Sequence, residues 1–563
     1  MGDVQVKNNR VELYPIAQFY LKQLQFYELL AKYLDVSKER LNVVSEALCL
    51  LVTNIIVAPK PLYKVEEWLS EYVDGLGEEP AHAKRFNDDC LGRALDDLFD
   101  VDRGSLGAEL SAHAIRVHDL ETSNIHYDTT SVTLLGEYRG ADPQTVQLTQ
   151  GYNKDHRPDC KQIVFGINTT EDGQVPLLCP LFDGNTADDR THITNWTRLR
   201  ELLKKEDFVY VADCKLCSEE NLRFIAGKGG RFITIVPKNR REVKEFYQIL
   251  KAQDIPWTAA YEVENPRKGG ETITYKTYEG SPTRGGFRMI WVHSSSKEKQ
   301  DRSRRNALLH NASKQLETLS SKLNSRNLKT RQQIQKKVDA ISHPVPGLLS
   351  IQMEEEITRK RVQVRPGRPS PGTAYKTVEH RQYRLTWSVN DKAVQEASRL
   401  DGVFPLVTNS TLSACEVLQT YKKQPLLEKR IYATKSILEV TPVFLKTPRR
   451  IEAMLFLYFV ALMVITLVER NLCKQMAKEK IAQLPILPQS MNTKKPTWNN
   501  LRYLFRNVHL SVLSSHGKTP RLILKGMTDL HARIIRMLGL PDRTYQTLTE
   551  NWWRFGPLRA MPP

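Results

Sequence analysis

Apolar residues recur at helical spacing through the first part of the chain. Apolar side chains three or four residues apart mark one face of a helix, and such runs cover four stretches: residues 19–34, 41–51, 68–76 and 86–98. Pro59 and Pro61 separate the second run from the third, since proline breaks a helix interior. Residues 1–118 are therefore predicted to form a helical N-terminal domain.

Near residue 122 short runs of strand-forming residues replace this spacing. Three strands are predicted, over residues 125–128 with an extension to 131–138, over 162–168 and over 175–182. Asp172-Gly173 lies between the last two and is a strong hairpin-turn signal. A helix over residues 193–203, a buried strand over 208–212, a helix capped by Ser218 and a buried strand over 232–236 follow. This is the element order of an RNase H-like core, so an α/β fold is predicted for residues 119–237.

Residues 238–400 interrupt this core and are predicted to form an inserted domain. A hairpin, residues 272–278 with 287–293, precedes a long helix whose apolar residues are spaced as in a coiled-coil seam: Leu309, Ala312, Leu316, Leu319 and Leu323. Residues 364–372, V-R-P-G-R-P-S-P-G, have the composition of a linker. The core is predicted to resume over residues 401–472, and residues 473–563 form a basic C-terminal region.

The charge of the chain narrows the classes of partner. A formal net charge of +18 over 563 residues favours a polyanion, nucleic acid first and an anionic membrane second. The N-terminal helices then either bind DNA or serve only in packing and assembly. Eight cysteines are too few for a disulfide framework in so long a chain and indicate a reducing compartment. The first ten residues contain no apolar segment typical of a signal peptide.

One apolar segment has the composition of a membrane span. Residues 453–468 are uninterrupted by charge, but sixteen residues fall short of the roughly 20 that a spanning helix needs. Charged residues bracket the segment on both sides. We therefore predict a helix buried in a large core, with a membrane span as the alternative.

A spaced set of polar residues follows the second part of the predicted core. Tyr421, Gln424, Glu428 and Lys435 lie within T-Y-K-K-Q-P-L-L-E-K-R-I-Y-A-T-K, residues 420–435. Pro425 suits the first turn of a helix, and on that helix Glu428 and Lys435 share a face, two turns apart. A carboxylate and an ammonium on one face can hold metal and phosphate respectively. By itself the pattern also fits a solvated helix with scattered charges.

Two aspartates lie where an RNase H-like core needs acids. Asp128 is on the first predicted strand, and Asp213 follows the fourth, at the edge of the sheet where sites in α/β proteins usually lie. With Glu428 they make a set of three carboxylates. Phosphodiester chemistry places charge on the attacking and the leaving oxygen, and a pair of Mg²⁺ ions held by carboxylates stabilises both.

These segments resemble one family. The run over residues 420–435 resembles the Tyr-x2-Arg-x3-Glu-x6-Lys signature of DDE transposases from bacterial and archaeal insertion sequences, with Gln424 at the position of the arginine. Residues 443–452 (V-F-L-K-T-P-R-R-I-E) and 151–162 (G-Y-N-K-D-H-R-P-D-C-K-Q) resemble further segments of that family. The resemblance covers roughly residues 120–470.

The resemblance implies a reaction and a role for each residue. Asp128, Asp213 and Glu428 would be the catalytic, metal-binding acids, using two Mg²⁺ or Mn²⁺ ions. Tyr421, Gln424 and Lys435 would contact DNA phosphate, with the glutamine a weaker substitute for arginine. In relatives that form hairpin ends an aromatic residue of the insertion stacks on a flipped base, and Trp291 is the candidate. The resemblance further implies that the partner is double-stranded DNA, both the terminal inverted repeats and the target, and that the protein acts on DNA as a homodimer. It implies no membrane partner and places the protein at the nucleoid of a prokaryotic cytoplasm.

Two other functions fit the same residues. A nuclease on an RNase H-like core would cut DNA without joining it, and a DNA-binding protein with a decayed site would do neither. The substitution at Gln424 favours the second, whereas the intact acids argue against it. No phosphate-binding loop of the form G-x-x-x-x-G-K-[ST] is present, so nothing indicates ATP use.

Overall fold

The computed structural model describes residues 5–72, 81–138, 142–265, 269–325, 327–369, 371–437, 445–515 and 518–550. The chain divides into two compact units, Met1–Thr234 with Gln419–Pro563, and Ile235–Leu418. The fold is mixed α/β, with a mixed sheet and many helices in the first unit. The second unit begins and ends outside the bounds predicted for the insertion, residues 238–400.

Helices fill most of the N-terminal region, after one short strand. Their bounds are β1 (Gln5–Arg10), α1 (Tyr14–Gln23), α2 (Phe26–Tyr33), α3 (Lys38–Val57), α4 (Val65–Glu71), α5 (Ala81–Arg85), α6 (Asp88–Asp100) and α7 (Arg103–His118). The apolar run over residues 19–34 is divided between α1 and α2, because Gln25 between them adopts a left-handed conformation with φ of 51°. Asn87 and Asp102 cap α6 and α7 by accepting backbone N–H groups.

A mixed sheet follows, formed as β2 (Asn124–Leu134), β3 (Lys161–Thr170), β4 (Pro176–Leu178), β5 (Leu181–Phe182), α8 (Asp188–Leu203), β6 (Val209–Ala212), α9 (Glu219–Gly227) and β7 (Arg231–Ile235). The strand order is β4-β3-β2-β6-β7, with β5 also against β3. Strands β2, β3 and β4 pair antiparallel, whereas β2, β6 and β7 pair parallel. The apolar runs predicted as buried strands are confirmed, since every residue of β6 is buried.

The second unit contains four antiparallel strands that pair in series and a separate two-stranded ribbon. Its elements are α10 (Arg241–Ala252), β8 (Thr258–Glu264), β9 (Thr272–Gly280), β10 (Arg288–Ser294), α11 (Ser295–Ser321), α12 (Arg331–Ser342), β11 (Leu349–Gln363), β12 (Tyr375–Val389), α13 (Asp391–Ser398) and β13 (Val403–Thr408). Within the unit β13, β10, β9 and β8 pair in that order, and β11 pairs with β12. The predicted hairpin of the insertion is confirmed as β9 and β10.

Two features of this unit differ from what the sequence pattern indicates. The seam of α11 packs on α12 and on the ribbon, with Leu316, Ile334 and Tyr383 in one apolar cluster, so elements of the same unit cover it in place of a coiled-coil partner helix. The described part of the segment predicted as a linker, residues 364–372, instead lies in the loop between two paired 15-residue strands. Proline and glycine are typical of turns and loops as well as of linkers.

The rest of the chain completes the first unit. It forms α14 (Ala414–Tyr421), α15 (Gln424–Ile437), α16 (Pro448–Lys478), α17 (Trp498–Phe505), β14 (His509–Ser515), β15 (Lys518–Lys525), α18 (Asp529–Met537) and α19 (Thr547–Glu550). Strand β14 pairs antiparallel with both β1 and β15, so the two ends of the described chain share a small sheet. The helix predicted around Pro425 is confirmed as α15.

Helix α16 contains the segment that resembles a membrane span. It is 31 residues long, and nearly all the side chains of residues 453–468 are buried in the protein, as predicted for a core helix. By length and composition α16 and α3 both qualify as candidate spans, yet 89% and 72% of their apolar windows are buried within the structure. A buried core helix satisfies the same criteria.

Candidate active site

Two aspartates stand side by side at one end of the parallel strands β2 and β6. The register of this pair sets Tyr127 opposite Ala212, so Asp128 and Asp213, each one residue further along, are neighbours. Strand β6 stops at this point, and the Asp213 carboxylate accepts the Lys215 backbone N–H at 3.0 Å. Strand β2 continues beside β3, where Asp128 faces Ile167. The strand register alone thus joins two acids that the sequence separates.

Helix α15 brings a third acid to the same place. The helix packs against β2 and is fixed there by Gln424, whose Nε2 donates to the Tyr127 carbonyl at 2.8 Å. Its Oε1 lies 2.9 Å from Nδ1 of His126. Glu428 follows one turn later on this helix and is exposed. Its negative charge contributes a small part of the rise in the pKa of Asp128.

The surroundings of Asp128 and Asp213 disfavour the charged forms of both carboxyl groups. Burial and the charges of Asp213 and Glu428 raise the pKa of Asp128 to about 7, although Lys154 opposes the rise. Burial also raises the pKa of Asp213, with Asp188 adding to the effect and Lys154 reducing it. Carboxylates in this arrangement gain stability from a cation, because an opposite charge favours their ionised form.

Two further residues of this cluster escaped the sequence analysis. The Lys154 ammonium donates to the Thr129 carbonyl at 2.7 Å and lies 3.8 Å from Oδ1 of Asp128 and 3.4 Å from Oδ2 of Asp188. Asp188, in the first turn of α8, also accepts the Thr129 hydroxyl at 2.7 Å. The signal for Lys154 was its position within the segment over residues 151–162. Asp188 gave none, since aspartate in a first helical turn is ordinary.

Tyr421 also belongs to this cluster, whereas Lys435 falls outside what can be described. Burial and the charges of Asp213 and Glu428 raise the pKa of the half-buried Tyr421 hydroxyl. Its side chain therefore stays protonated at neutral pH. Lys435 lies within the bounds of α15, but its side chain is outside the described residues.

The DNA contact predicted for Gln424 does not agree with its surroundings. The side chain is 2% exposed, and both ends of its amide are engaged by His126 and the Tyr127 carbonyl. The residue therefore holds α15 on the sheet and presents no group to solvent. The sequence could not show this, because the two partners of the Gln424 amide, His126 and the Tyr127 carbonyl, lie on a strand far earlier in the chain.

The base-stacking role predicted for Trp291 also disagrees with the structure. Trp291 lies in the middle of the second unit's sheet on β10, is 2% exposed, and stacks on Phe246 with ring centroids 3.7 Å apart. A side chain so enclosed has no face available to a base. The sequence could not show this, because an aromatic residue on a strand can face either side of the sheet.

The donor chemistry of the site fits a hard divalent cation. Carboxylate oxygens are the ligands that Mg²⁺ prefers, and Asp128, Asp213 and Glu428 supply them. Burial raises the pKa of one of the three, Asp128. Within the described ranges, no three His, Cys, Asp or Glu side chains are close enough as they stand to hold one ion. The nearest cation to Asp128 and Asp188 is instead the Lys154 ammonium.

Comparison with known proteins finds a family model and solved structures that match. A family model described as a domain of unknown function, DUF4277, matches residues 6–112. No curated protein matches the chain. Among solved structures, the chain is similar to the cryo-EM structure of the piggyBac transposase synaptic complex with hairpin DNA. That similarity has 9% sequence identity and a TM-score of 0.38, over 98% of this chain and 86% of the other, and carries no argument about function.

Replacing Gln424 tests its structural role. Gln424→Ala is expected to lower the free energy of unfolding by about 1–3 kcal/mol, because it leaves a buried carbonyl and imidazole unsatisfied. Gln424→Arg is expected to destabilise the chain at least as much, since it buries a charge, and not to tighten DNA binding. Urea denaturation measures both, with Lys429→Ala on the exposed face of α15 as the neutral control. A stable Gln424→Arg chain with tighter DNA binding would restore the phosphate contact.

The protonation of Asp128 predicts a dependence of stability on pH. Its pKa lies near its ordinary value of 3.8 in the unfolded chain and at about 7 in the folded one. The folded state therefore binds the proton more tightly, and this contribution to stability is complete below about pH 4 and lost as the pH rises to about 7. With a chelator present, the free energy of unfolding is measured for wild type and for Asp128→Asn. The difference, wild type minus variant, should fall across this window by on the order of 2–4 kcal/mol. A difference that stays constant with pH would contradict the assignment.

Proposed function

We propose that this protein is a metal-dependent DDE transposase built on an RNase H-like core, which cuts DNA at the ends of an insertion sequence and joins the freed 3′-hydroxyl to target DNA. One observation carries the proposal. Asp128 on β2 and Asp213 directly after β6 are neighbours, and α15, which packs against β2, carries Glu428, whose charge acts on Asp128. The resemblance of residues 120–470 to that family names the same three residues.

The order of the strands supports the RNase H-like core. Three antiparallel strands are followed by two parallel strands that are added on the other side of β2, in the order β4-β3-β2-β6-β7. Helix α8 connects the antiparallel part to β6, and α9 connects β6 to β7. Two of the three acids thus lie on adjacent central strands, and a later helix supplies the third.

Asp128, Asp213 and Glu428 are the residues that would hold two Mg²⁺ or Mn²⁺ ions. When bound, such a pair stabilises the charge on the attacking and leaving oxygens of a phosphodiester. The chain's own groups do the rest. A tyrosine hydroxyl is protonated at neutral pH, and burial raises the pKa of Tyr421 further, so this hydroxyl can donate a hydrogen bond to a phosphate oxygen. Lys154 balances part of the carboxylate charge and, as a flexible ammonium, is suited to hold a backbone phosphate.

Duplex DNA as the partner agrees with the charge of the chain. A formal charge of +18 supplies the sequence-independent attraction that dominates affinity for DNA. The terminal inverted repeats and the target are the DNA segments that this reaction requires, and two copies of the chain acting on two ends form the homodimer. The cytoplasm of a prokaryotic cell, at the nucleoid, is the location in keeping with this partner.

A cleavage and joining assay tests the proposal. The full-length chain is incubated with Mg²⁺ and a duplex carrying the inverted repeats that flank its coding sequence, and in parallel with the same ends already cut, together with a target plasmid. Nicking at the ends and joining of precut ends to the plasmid are the expected results. Nicking without joining would identify a nuclease instead. Binding without either reaction would identify a DNA-binding protein with a decayed site.

A further inference from the structure

The second unit carries an arm whose exposed end has no packing role. Strands β11 and β12 pair continuously from Leu349 opposite Val389 to Gln363 opposite Tyr375. Only the half nearest the helices is packed, where Tyr383 and Leu385 join the apolar cluster of α11 and α12. Beyond Glu355 nearly every residue of both strands is exposed. At roughly 3.3 Å per residue, the ribbon extends about 25 Å past this cluster.

The end of the arm is cationic. Residues 357–378 contain no aspartate or glutamate, so the segment cannot neutralise its own charge. It contains six basic residues: Arg359, Lys360, Arg361, Arg365, Arg368 and Lys376. Arg359 pairs with Glu379 at the base of this segment, at 3.2 Å. Arg365 and Arg368 lie in the turn itself and are exposed. A projection of this charge and length fits a polyanion.

Apolar and rigid residues accompany this charge. Val362, Val364 and Tyr375 are each exposed by more than two fifths, although the Arg361 guanidinium lies over the Tyr375 ring at 5.7 Å. Pro366 and Pro369 flank Gly367-Arg368, and their fixed φ angles narrow the range of conformations of the turn. Exposed apolar side chains on a thin arm are costly in water, and a partner that covers them removes this cost.

We propose that the end of this arm binds the minor groove of A·T-rich duplex DNA, with Arg365 and Arg368 in the groove and Lys360, Arg361 and Lys376 against the flanking phosphates. The narrow minor groove of A·T tracts has an enhanced negative potential that attracts arginine. Proteins that bind there often add an apolar or proline wedge, and the turn supplies Pro366, Pro369 and Val364. The major groove would admit the whole ribbon, but the arginines and prolines are concentrated in the single-chain turn.

This inference takes duplex DNA as the partner from the proposed function, and requires none of its chemistry. It gives the protein a contact outside the candidate active site, which holds DNA by groove width and charge. A preference for A·T-rich segments beside the reacting ends or in the target is the consequence. The contact is independent of Asp128, Asp213 and Glu428.

Binding to three duplexes tests the proposal. One contains an A·T tract, one a G·C tract, and one an inosine·cytosine tract, which presents the minor groove of A·T but the major-groove carbonyl pattern of G·C. The full chain with Arg365→Ala and Arg368→Ala is compared with wild type at several salt concentrations. We expect the affinity for the A·T and inosine duplexes to fall at least about tenfold, with the loss for G·C smaller. The salt slope should fall by about two, one for each lost contact.

The matched control removes the same charge elsewhere in the unit. Lys336→Ala with Lys337→Ala on α12 leaves two exposed positions uncharged and should leave the preference among the three duplexes unchanged. An equal loss for the arm variant and this control overturns the proposal. The proposal is also overturned if the arm variant loses as little affinity for the inosine·cytosine duplex as for the G·C duplex, because this would indicate the major groove. Arm-dependent binding to phosphatidylserine vesicles, with duplex affinity unchanged, overturns it in favour of a membrane.

The same experiment separates this inference from the proposed function. If the wild-type chain binds no duplex at all, the proposed function fails. If it binds duplexes but the arm variant behaves like the control, only the minor-groove inference fails. The comparison repeated in an Asp128→Asn background should give the same ratios, since the arm does not take part in cleavage. Thermal unfolding of the arm variant should match wild type, because its changes lie outside the apolar cluster.

Discussion

Asp128→Asn, Asp213→Asn and Glu428→Gln are each expected to abolish cleavage of the element's ends while DNA binding is largely retained. Under the proposed function, each acid holds metal that stabilises the transition state by several kcal/mol. Because about 1.4 kcal/mol corresponds to a tenfold change in rate, the cleavage rate should fall by at least about a thousandfold. Single-turnover cleavage of a labelled duplex and a binding titration on the same preparation measure the two quantities.

The control for this prediction is an acid of the same unit outside the cluster. Asp159 is exposed and pairs with Arg157 at 2.8 Å, so Asp159→Asn should cleave at close to the wild-type rate. Full activity in any one of the three variants would remove that residue from the site. A variant that loses binding and cleavage together would point to a fault in folding, which the unfolding transition would reveal.

Trp291→Ala is expected to cost about 3–5 kcal/mol of unfolding free energy, the range for removing a buried aromatic side chain. Trp291 stacks on Phe246 and is flanked by Tyr247 and Tyr278, which touch it or its stacking partner. Rotation of the neighbouring aromatic side chains cannot fill so large a cavity. Since a folded domain is stable by only about 5–15 kcal/mol, the loss should be obvious in urea denaturation followed by circular dichroism.

A second tryptophan, directly before β8, provides the comparison. Trp257 is half-buried and contacts Tyr278 and His293 at ring-centroid distances of 6.4 and 5.9 Å, so Trp257→Ala should cost clearly less. Trp291→Phe should recover part of the stability by keeping a ring against Phe246. If Trp291→Ala instead left stability unchanged and impaired only the processing of hairpin ends, the residue would face DNA after all.

Local sequence was informative wherever one element decides its own structure. The continuous apolar run of β6 predicts a buried strand, and the Asp172-Gly173 pair predicts a hairpin turn. Both signals are reliable because burial and turn geometry act within a few residues. Pro425 and the positions after it likewise identify α15. The run over residues 364–372 was misassigned, because its proline and glycine residues suit a linker and a ribbon turn equally well.

The direction of a side chain was the harder question. Gln424 and Trp291 were both predicted to contact DNA, and both are buried against other elements of their own unit. Lys154 and Asp188 were passed over, and both lie among the acids. In each case the neighbours that decide the role come from other elements of the chain, which no local pattern specifies.

The sequence by itself determined the order of strands and helices, the excess of positive charge, and the three acids as candidates, because hydrophobic periodicity and residue chemistry are local properties. Only the tertiary structure decided that Asp128 and Asp213 are neighbours, through the register that pairs Tyr127 with Ala212. It also decided that Gln424 anchors α15 so that Glu428 joins them. These outcomes depend on contacts between residues tens to hundreds of positions apart, and such contacts form only when the packed core fixes the separate elements against one another.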